Sequence, residues 1–436
     1  MRDRLDAQWL DDLPSNWTEK RADFLCDPYR VTVDPADFGD NLVAHYSIPQ
    51  VQDTGGPLIE PASGIDSSKL LIAAPTLLVS KLNPRKRTIC IAEPHPDYVT
   101  LASGEFVAIN SDRIDRRYAY YLWSSEKVTD RLSAIVQSAT RSHQRVNPAD
   151  ILKLPWRWPP LEIQRRIVLF LDEKIAKIDA LVAKKRTLLG HFAVKRQVLI
   201  TNAVTKGLNP DAPMKPSGID WLGDIPAHWK VKRLSFVSSV IDCKHRTPEY
   251  IDDGIPLVST SEIKPYSIDY LTKRRVSEDE FTIMSDGERR PRVGDIIYSR
   301  NASVGSAARV RADELLCLGQ DLCLIRPRVI SSNFLEYFLN SDACLEQLAR
   351  ELVGATFKRV NVDVIKKYFV VVPPEDEQAE IVDALDRGQS EEWEADAKVA
   401  QSVGRLAEYR AALITAAVTG KIQLNVTPKE PAVEEV

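Results

Sequence analysis

After Pro159 and Pro160 the apolar residues Ile163, Ile167, Leu171, Ile175, Ile178, Val182, Leu189 and Phe192 recur mostly three or four positions apart, and no further proline occurs until Pro210. This spacing predicts one amphipathic helix of roughly 45 residues, about 65 Å long at 1.5 Å per residue. Two prolines suit its first turn, where the missing N–H would have had no helical partner. A second segment repeats the plan after Pro373 and Pro374, through Ile381, Leu385, Val399, Val403, Leu406 and Leu413, with weaker propensity around Gly388 and Gly404. Elsewhere the pattern is shorter. Residues 69–84 and 87–94 read as strands and 116–136 as a helix; 294–300, 306–312 and 321–327 read as strands and 333–353 as a helix. Each of these mixed blocks predicts an α+β domain.

The two halves share a register. Moving the chain by 212 residues lays Asp12, Pro14, Trp17, Lys20, Arg21 and Phe24 on Asp224, Pro226, Trp229, Lys232, Arg233 and Phe236. Moving it by 214 lays Asn147, Ile151, Lys153, Gln164, Ile167, Leu171 and Asp172 on Asn361, Ile365, Lys367, Gln378, Ile381, Leu385 and Asp386, and "LITNAVT" (199–205) on "LITAAVT" (413–419). The chain is a tandem duplication. Its expected segments are a first domain (1–158), a central helical region (159–209), a linker (210–222) marked by Pro210, Pro213, Pro216 and Gly218, a second domain (223–372), a C-terminal helical region (373–425) and a disordered tail (426–436).

Charge separates the helices. Residues 161–209 carry ten Lys/Arg against four Asp/Glu, net +6, whereas 375–425 carry five against eleven, net −6. Equivalent helices of opposite charge are expected to pair, apolar seam inward. The overall charge of −4 conceals this division. The six cysteines form no CxxC pair, which points to reduced buried thiols and no metal site. No run of about 18 apolar residues appears, and "MRDRLDAQWLDDLP" lacks an apolar leader core, so a cytoplasmic location is expected.

Basic residues gather in the expected loops at matched places. In the first block these are Lys81, Arg85, Lys86 and Arg87, then Arg141, His143 and Arg145; in the second they are His245, Arg246, Arg274, Arg275, Arg289, Arg290, Arg300, Lys358 and Arg359. Cationic loop residues bind phosphates, and Arg, Asn and Gln reach base edges in the major groove. Any one of them alone reads as solvated surface charge; the repetition after Ser80 and Ser299 and before Asn147 and Asn361 raises the set above that reading.

"LPSNW" and "IPAHW", "DCKHRTPEY", "VGDIIYSRNASVG", "SKLNPR", "GATFKRVN", and "PPLEIQRRIV" with "PPEDEQAEIV" together resemble the specificity subunit of type I restriction-modification systems over nearly the whole chain. The resemblance implies an α+β architecture of two pseudo-repeated target recognition domains separated by two long antiparallel helices forming a coiled-coil spacer. It implies a non-catalytic subunit that reads a bipartite, asymmetric double-stranded DNA target, one half per domain. Two methyltransferase subunits would dock on the helices, and restriction or translocase subunits could join. No cofactor is then expected on this chain, with S-adenosylmethionine, ATP and Mg²⁺ on the partners. The family's DNA-contacting loops fall on Lys81, Asn83, Arg85, Lys86, Arg87, Arg141, His143 and Arg145, and on His245, Arg246, Thr247, Arg300, Asn301, Lys358 and Arg359. The first block has no counterpart to "HRTP".

Catalytic readings are weaker. "DPY" (27–29) lacks the second proline of the adenine methyltransferase signature, and no GxxxxGK[ST] loop occurs. One degenerate nuclease-like pattern joins Glu249 with Glu262 and Lys264. A coiled-coil adaptor that does not read DNA is the competing class; it accounts for the duplication but not for matched basic loops.

Overall fold

The computed structural model describes residues 9–138, 144–352 and 359–422. The chain divides into two compact units, residues 1–185 with 401–436, and residues 186–400. Both long helices are shared between them. The central helix, Leu161–Lys206, is 46 residues long, and the C-terminal helix, Glu375–Val418, is 44 residues long and runs through Gly388 and Gly404 without interruption. The first unit thus holds the start of the central helix and the end of the C-terminal one, and the second unit holds the reverse.

In the first unit a four-stranded antiparallel sheet runs in the order Asp27–Tyr29, Phe106–Asn110, Thr76–Ser80, Ile89–Ala92. The second unit repeats it as Ser238–Asp242, Leu322–Pro327, Ile296–Ser299, Ala307–Arg309. A strand at each domain's opening pairs with the strand that precedes its long helix, Thr18–Arg21 with Pro155–Trp158 and Lys230–Arg233 with Phe369–Val372. Beside these the blocks diverge: the first carries a five-stranded mixed sheet, the second a three-stranded one. The run 69–84, expected as one strand region, is split between sheets, because Lys69–Leu71 joins the five-stranded sheet and Thr76–Ser80 the four-stranded one.

Apolar burial joins helices to domains inside each unit. Ile167, Val168, Leu171, Ile175 and Ile178 share a core with Leu413, Ile414, Ala417 and Val418 in the first. Ile200, Ala203 and Val204 share one with Ile381, Val382 and Leu385 in the second. Asp179 pairs with Arg410 at 3.1 Å, and Arg196 pairs with Asp396, so residue numbers rise along one helix as they fall along the other. The helices are antiparallel, as the resemblance implied. The Arg410–Asp179 pair has its cation on the net-acidic helix, so the seam is not divided simply by sign.

Each domain helix expected as one piece is two. Arg116–Ser124 and Glu126–Ala134 break at Ser125, and Ser332–Leu339 and Asp342–Glu351 break at the Asn340–Ser341 step. The break exposes a first-turn amide that the long helices take up: Glu126 N–H donates to Thr415 Oγ1 and Asp342 N–H to Thr201 Oγ1, both at 3.0 Å. Periodicity does not reveal such a break, since both fragments keep one apolar face. The repeated Gln164 and Gln378 do similar work: each accepts a loop N–H, from Asp115 at 2.9 Å and Ser331 at 2.8 Å, and donates back to a carbonyl of its own proline pair.

All six cysteines are free and buried, and burial pushes Cys26, Cys90, Cys317 and Cys344 up to about 12. Among the described residues no helix is long and apolar enough to cross a membrane. Within the segment read as a linker, Met214–Pro216 pairs with Asp224–Pro226. The tail from 426 lies outside the described residues.

Candidate nucleic-acid interface

The four-stranded sheet of each unit ends in the same turn. At the end of Thr76–Ser80, the Ser80 hydroxyl donates to Leu82 O at 3.1 Å and accepts from Leu82 N–H at 3.0 Å, folding the chain back sharply. Lys81 N–H donates to Glu105 O, and Lys81 O accepts from Val146 N–H, both at 2.9 Å. Its ammonium donates to Gly104 O, and Arg145 pairs with Glu105 at 2.9 Å. Partial burial holds the Lys81 ammonium below the usual lysine range.

The second unit rebuilds this circuit with other side chains. Ser299 Oγ donates to Asn301 O at 3.0 Å; Arg300 N–H donates to Asp321 O at 2.9 Å and Arg300 O accepts from Val360 N–H at 3.0 Å. The Arg300 guanidinium donates to Gln320 O at 3.1 Å, and Arg359 pairs with Asp321 at 3.3 Å. Sheet register makes the equivalence residue by residue, because Phe106 faces Ser80 as Leu322 faces Ser299. Lys81, Gly104, Glu105 and Arg145 therefore correspond to Arg300, Gln320, Asp321 and Arg359.

The loop segments named from sequence are thus brought together within each unit. Asn83 and Arg87 take left-handed backbone, φ 47° and 50°, around the single turn Pro84–Lys86, and Asn83 N–H donates to Gln144 O at 2.8 Å. Such non-glycine conformations persist only where the surroundings enforce them. The turn leaves Arg85 and Lys86 exposed, while Arg87 pairs with Glu126 at 3.2 Å. In the second unit His245 lies 3.1 Å from Asp242, Arg246 pairs with Glu280, Thr247 is exposed, and Asn301 Nδ2 donates to Asp321 at 3.3 Å. Arg141, His143 and Lys358 lie outside the described residues.

Arg300 corrects the expectation that it contacts DNA. It is only 2% exposed, and its guanidinium sits 2.8 Å from Asp242 while donating to Gln320 O and, at 3.3 Å, Leu322 O. A guanidinium this enclosed, engaged through Nε and Nη2 by a carboxylate and two carbonyls, supports the turn rather than reaching outward. By contrast, Arg145, Arg246 and Arg359 are exposed and held by single acids, pairs contributing about 0–1 kcal/mol that a phosphate displaces cheaply.

A groove of about 720 Å³ borders this turn, its polar wall mixing the basic His245, Arg300, Arg359, Lys366 and Lys367 with Asp242, Asp363, Gln320 and Asn361. A smaller cleft of about 230 Å³ adjoins it, with Arg246, Thr247, Arg274 and again Gln320. In the first unit a cleft of about 400 Å³ lies beside Lys81, with Arg30, Tyr29 and Phe106. Sequence reasoning missed Arg30, Gln320, Lys366 and Lys367 as site residues. Lys367 had a signal, its match to Lys153 in the repeat; Gln320 had none. Glu262 serves the fold, accepting from Ser259 N–H at 2.8 Å and from the Ser259 and Ser261 hydroxyls at 2.5 and 2.8 Å. Burial opposes its charge, but these donors hold the carboxyl below the usual glutamate range. Among the described residues no three His, Cys, Asp or Glu are grouped to hold a metal ion.

Residues 229–393 match the family model of the type I restriction modification DNA specificity domain. The chain is 21% identical over 338 residues to the type I restriction enzyme EcoBI specificity subunit of Escherichia coli, covering 74% of this chain and 69% of that protein. A solved chain from work on complex assembly and conformational transition of the type I R-M system superposes with a TM-score of 0.67 at 21% identity, over 94% of this chain and 99% of that one. The HsdS subunit from Thermoanaerobacter tengcongensis aligns with a TM-score of 0.46 at 20% identity, over 94% and 98%. The family model thus matches within the second half of the chain, and the 0.67 superposition shows the fold.

Proposed function

We infer that the chain, whose second half carries the type I DNA specificity domain, is the sequence-specific DNA recognition subunit of a type I restriction-modification complex. One observation carries the reading. The same turn, with a basic residue at the end of a core strand and an arginine paired to the acid beside it, is built in both halves, where Lys81, Glu105 and Gly104 of the first give way to Arg300, Asp321 and Gln320 in the second while Arg145 and Arg359 correspond. A duplicated frame that holds unlike side chains at equivalent points suits the reading of two unlike half-sites. Phosphate contacts from Arg85, Lys86, Arg246, Arg359 and Lys367 would set the register, and neighbouring polar side chains would read base edges.

The two helices serve as the spacer between half-sites and as the docking surface for two methyltransferase subunits, to which restriction subunits can add. Recognition is this chain's contribution. Methyl transfer and ATP-driven translocation, with their S-adenosylmethionine, ATP and Mg²⁺, fall to those partners.

The adaptor alternative is separated by salt. Binding of the full chain to duplex DNA should weaken steeply as salt rises, with a log–log slope near −0.9 per neutralised phosphate. A slope near zero, or equal affinity for all duplexes at moderate salt, would leave the adaptor reading in place.

A further inference from the structure

Gln320 occupies a singular position between the two clefts of the second unit. It is exposed, and its side-chain amide has no hydrogen-bond partner among the described residues. Its backbone, however, is held hard from below. Gln320 O accepts from Arg300 Nη2 at 3.1 Å and from Cys243 Sγ at 2.9 Å. On one side Gly319 N–H donates to Val258 O at 2.8 Å, and on the other Asp321 O accepts from Arg300 N–H at 2.9 Å. A free amide on an immobilised backbone loses little further entropy on binding, which is the arrangement a specific reader needs. Cationic side chains flank it on both sides, Arg246 and Arg274 in one cleft and Arg359 and Lys367 in the other.

We propose that Gln320 is a base-reading residue of the second domain, its amide donating to N7 and accepting from N6 of an adenine in the major groove, and that the first domain lacks this contact because Gly104 stands at the equivalent point. Glutamine presents the donor and acceptor that adenine's major-groove edge requires, and the flanking cations suit the adjoining phosphates. In the first unit the corresponding carbonyl is held by Lys81 in the same way, yet glycine projects nothing from it. One position of an otherwise shared turn thus makes the half-sites unlike. Arg300 and Cys243 are positioning residues for this contact. The inference rests on the DNA-reading role proposed above.

The test is selection of bound duplexes from a randomised DNA library by the full chain, with Gln320→Ala and Gln320→Glu beside wild type. Gln320→Ala should reduce discrimination at one adenine by roughly 5- to 150-fold, the range of a good bidentate base contact, and leave the other half-site unchanged. Gln320→Glu should move the preference at that position toward cytosine, whose N4 amino group donates. An unaltered preference in Gln320→Ala, or equal weakening on every sequence, would overturn the assignment. If wild type selects no sequence at all, the recognition role itself fails, a different result from the loss of one position.

Discussion

At the scale of single residues, burial decides what each cation does. Arg300 and Arg359 were indistinguishable as basic loop residues, yet one is enclosed by acceptors and the other stands in solvent with a single acid. Arg300→Ala should therefore destabilise the chain by about 2–4 kcal/mol, since Asp242 and two carbonyls each lose a donor. Arg359→Ala should change stability by less than about 0.5 kcal/mol. Urea denaturation of the two variants measures the contrast, and equal small effects would remove Arg300 from its supporting role. Asp12 offers a pH signature. Burial disfavours its charge, but Lys127 at 2.5 Å and Lys421 at 3.0 Å hold its carboxyl below the ordinary value of 3.8. A depressed folded-state pKa gives stability that is present above about pH 4 and lost as pH falls through the folded value. The Tm advantage of wild type over Asp12→Asn should accordingly be seen at pH 7 and vanish by about pH 2; an advantage that grows in acid would contradict the pairing.

At the scale of elements, the repeated "LITxAVT" segments explain themselves as docking ends. Each places an isoleucine and a valine in the neighbouring domain's core and a threonine hydroxyl on the free amide at that domain's helix break. Each long helix then terminates on a left-handed glycine, Gly207 at φ 78° and Gly420 at φ 72°, lying against the tryptophan that opens a domain. A Cβ on Gly420 would come within 2.5 Å of Pro14 and 3.1 Å of Trp17. Gly420→Ala combines that clash with left-handed backbone, so a loss of about 1–3 kcal/mol is expected. Hydrogen exchange should show it as reduced protection at the end of the C-terminal helix; unchanged protection there would mean the end docks by other means. The same change at Gly207, where the nearest tryptophan atom is 3.2 Å away, should cost less.

At the scale of the whole molecule, duplication and helix length are the features on which the proposed reading of a split target rests. The central helix of 46 residues spans about 69 Å at 1.5 Å per residue, and the C-terminal helix matches it within two residues. Because the seam is antiparallel, a length change in one helix alone would put the ion pairs Asp179–Arg410 and Arg196–Asp396 out of register. Seven residues inserted in both helices, after Lys185 and after Ala400, should instead keep the seam and add about 10 Å, roughly three base pairs to the permitted gap. Methylation mapping with cognate partner subunits would report it, with both half-site sequences retained. An unchanged gap would refute the spacer role.

The antiparallel sense of the helix pair was implied only by the family resemblance, whereas the sequence by itself determined the duplication and the two long helices. These rest on periodicity and on register between distant segments, both of which survive in a one-dimensional string. Gapless correspondence from Asn147 to Thr205 was enough to identify the docking ends as equivalent before their partners were known. Tertiary structure alone decided which basic residues face outward, where the domain helices break, and which residue stands at the tip of the shared turn. Burial, free amides and strand register depend on what lies across the sheet: Arg300 is buried by Asp242 and the Gln320–Leu322 segment, and Glu126 N–H is satisfied by a threonine 289 residues away. The spacing of hydrophobic residues records which face of an element is covered, but not by what.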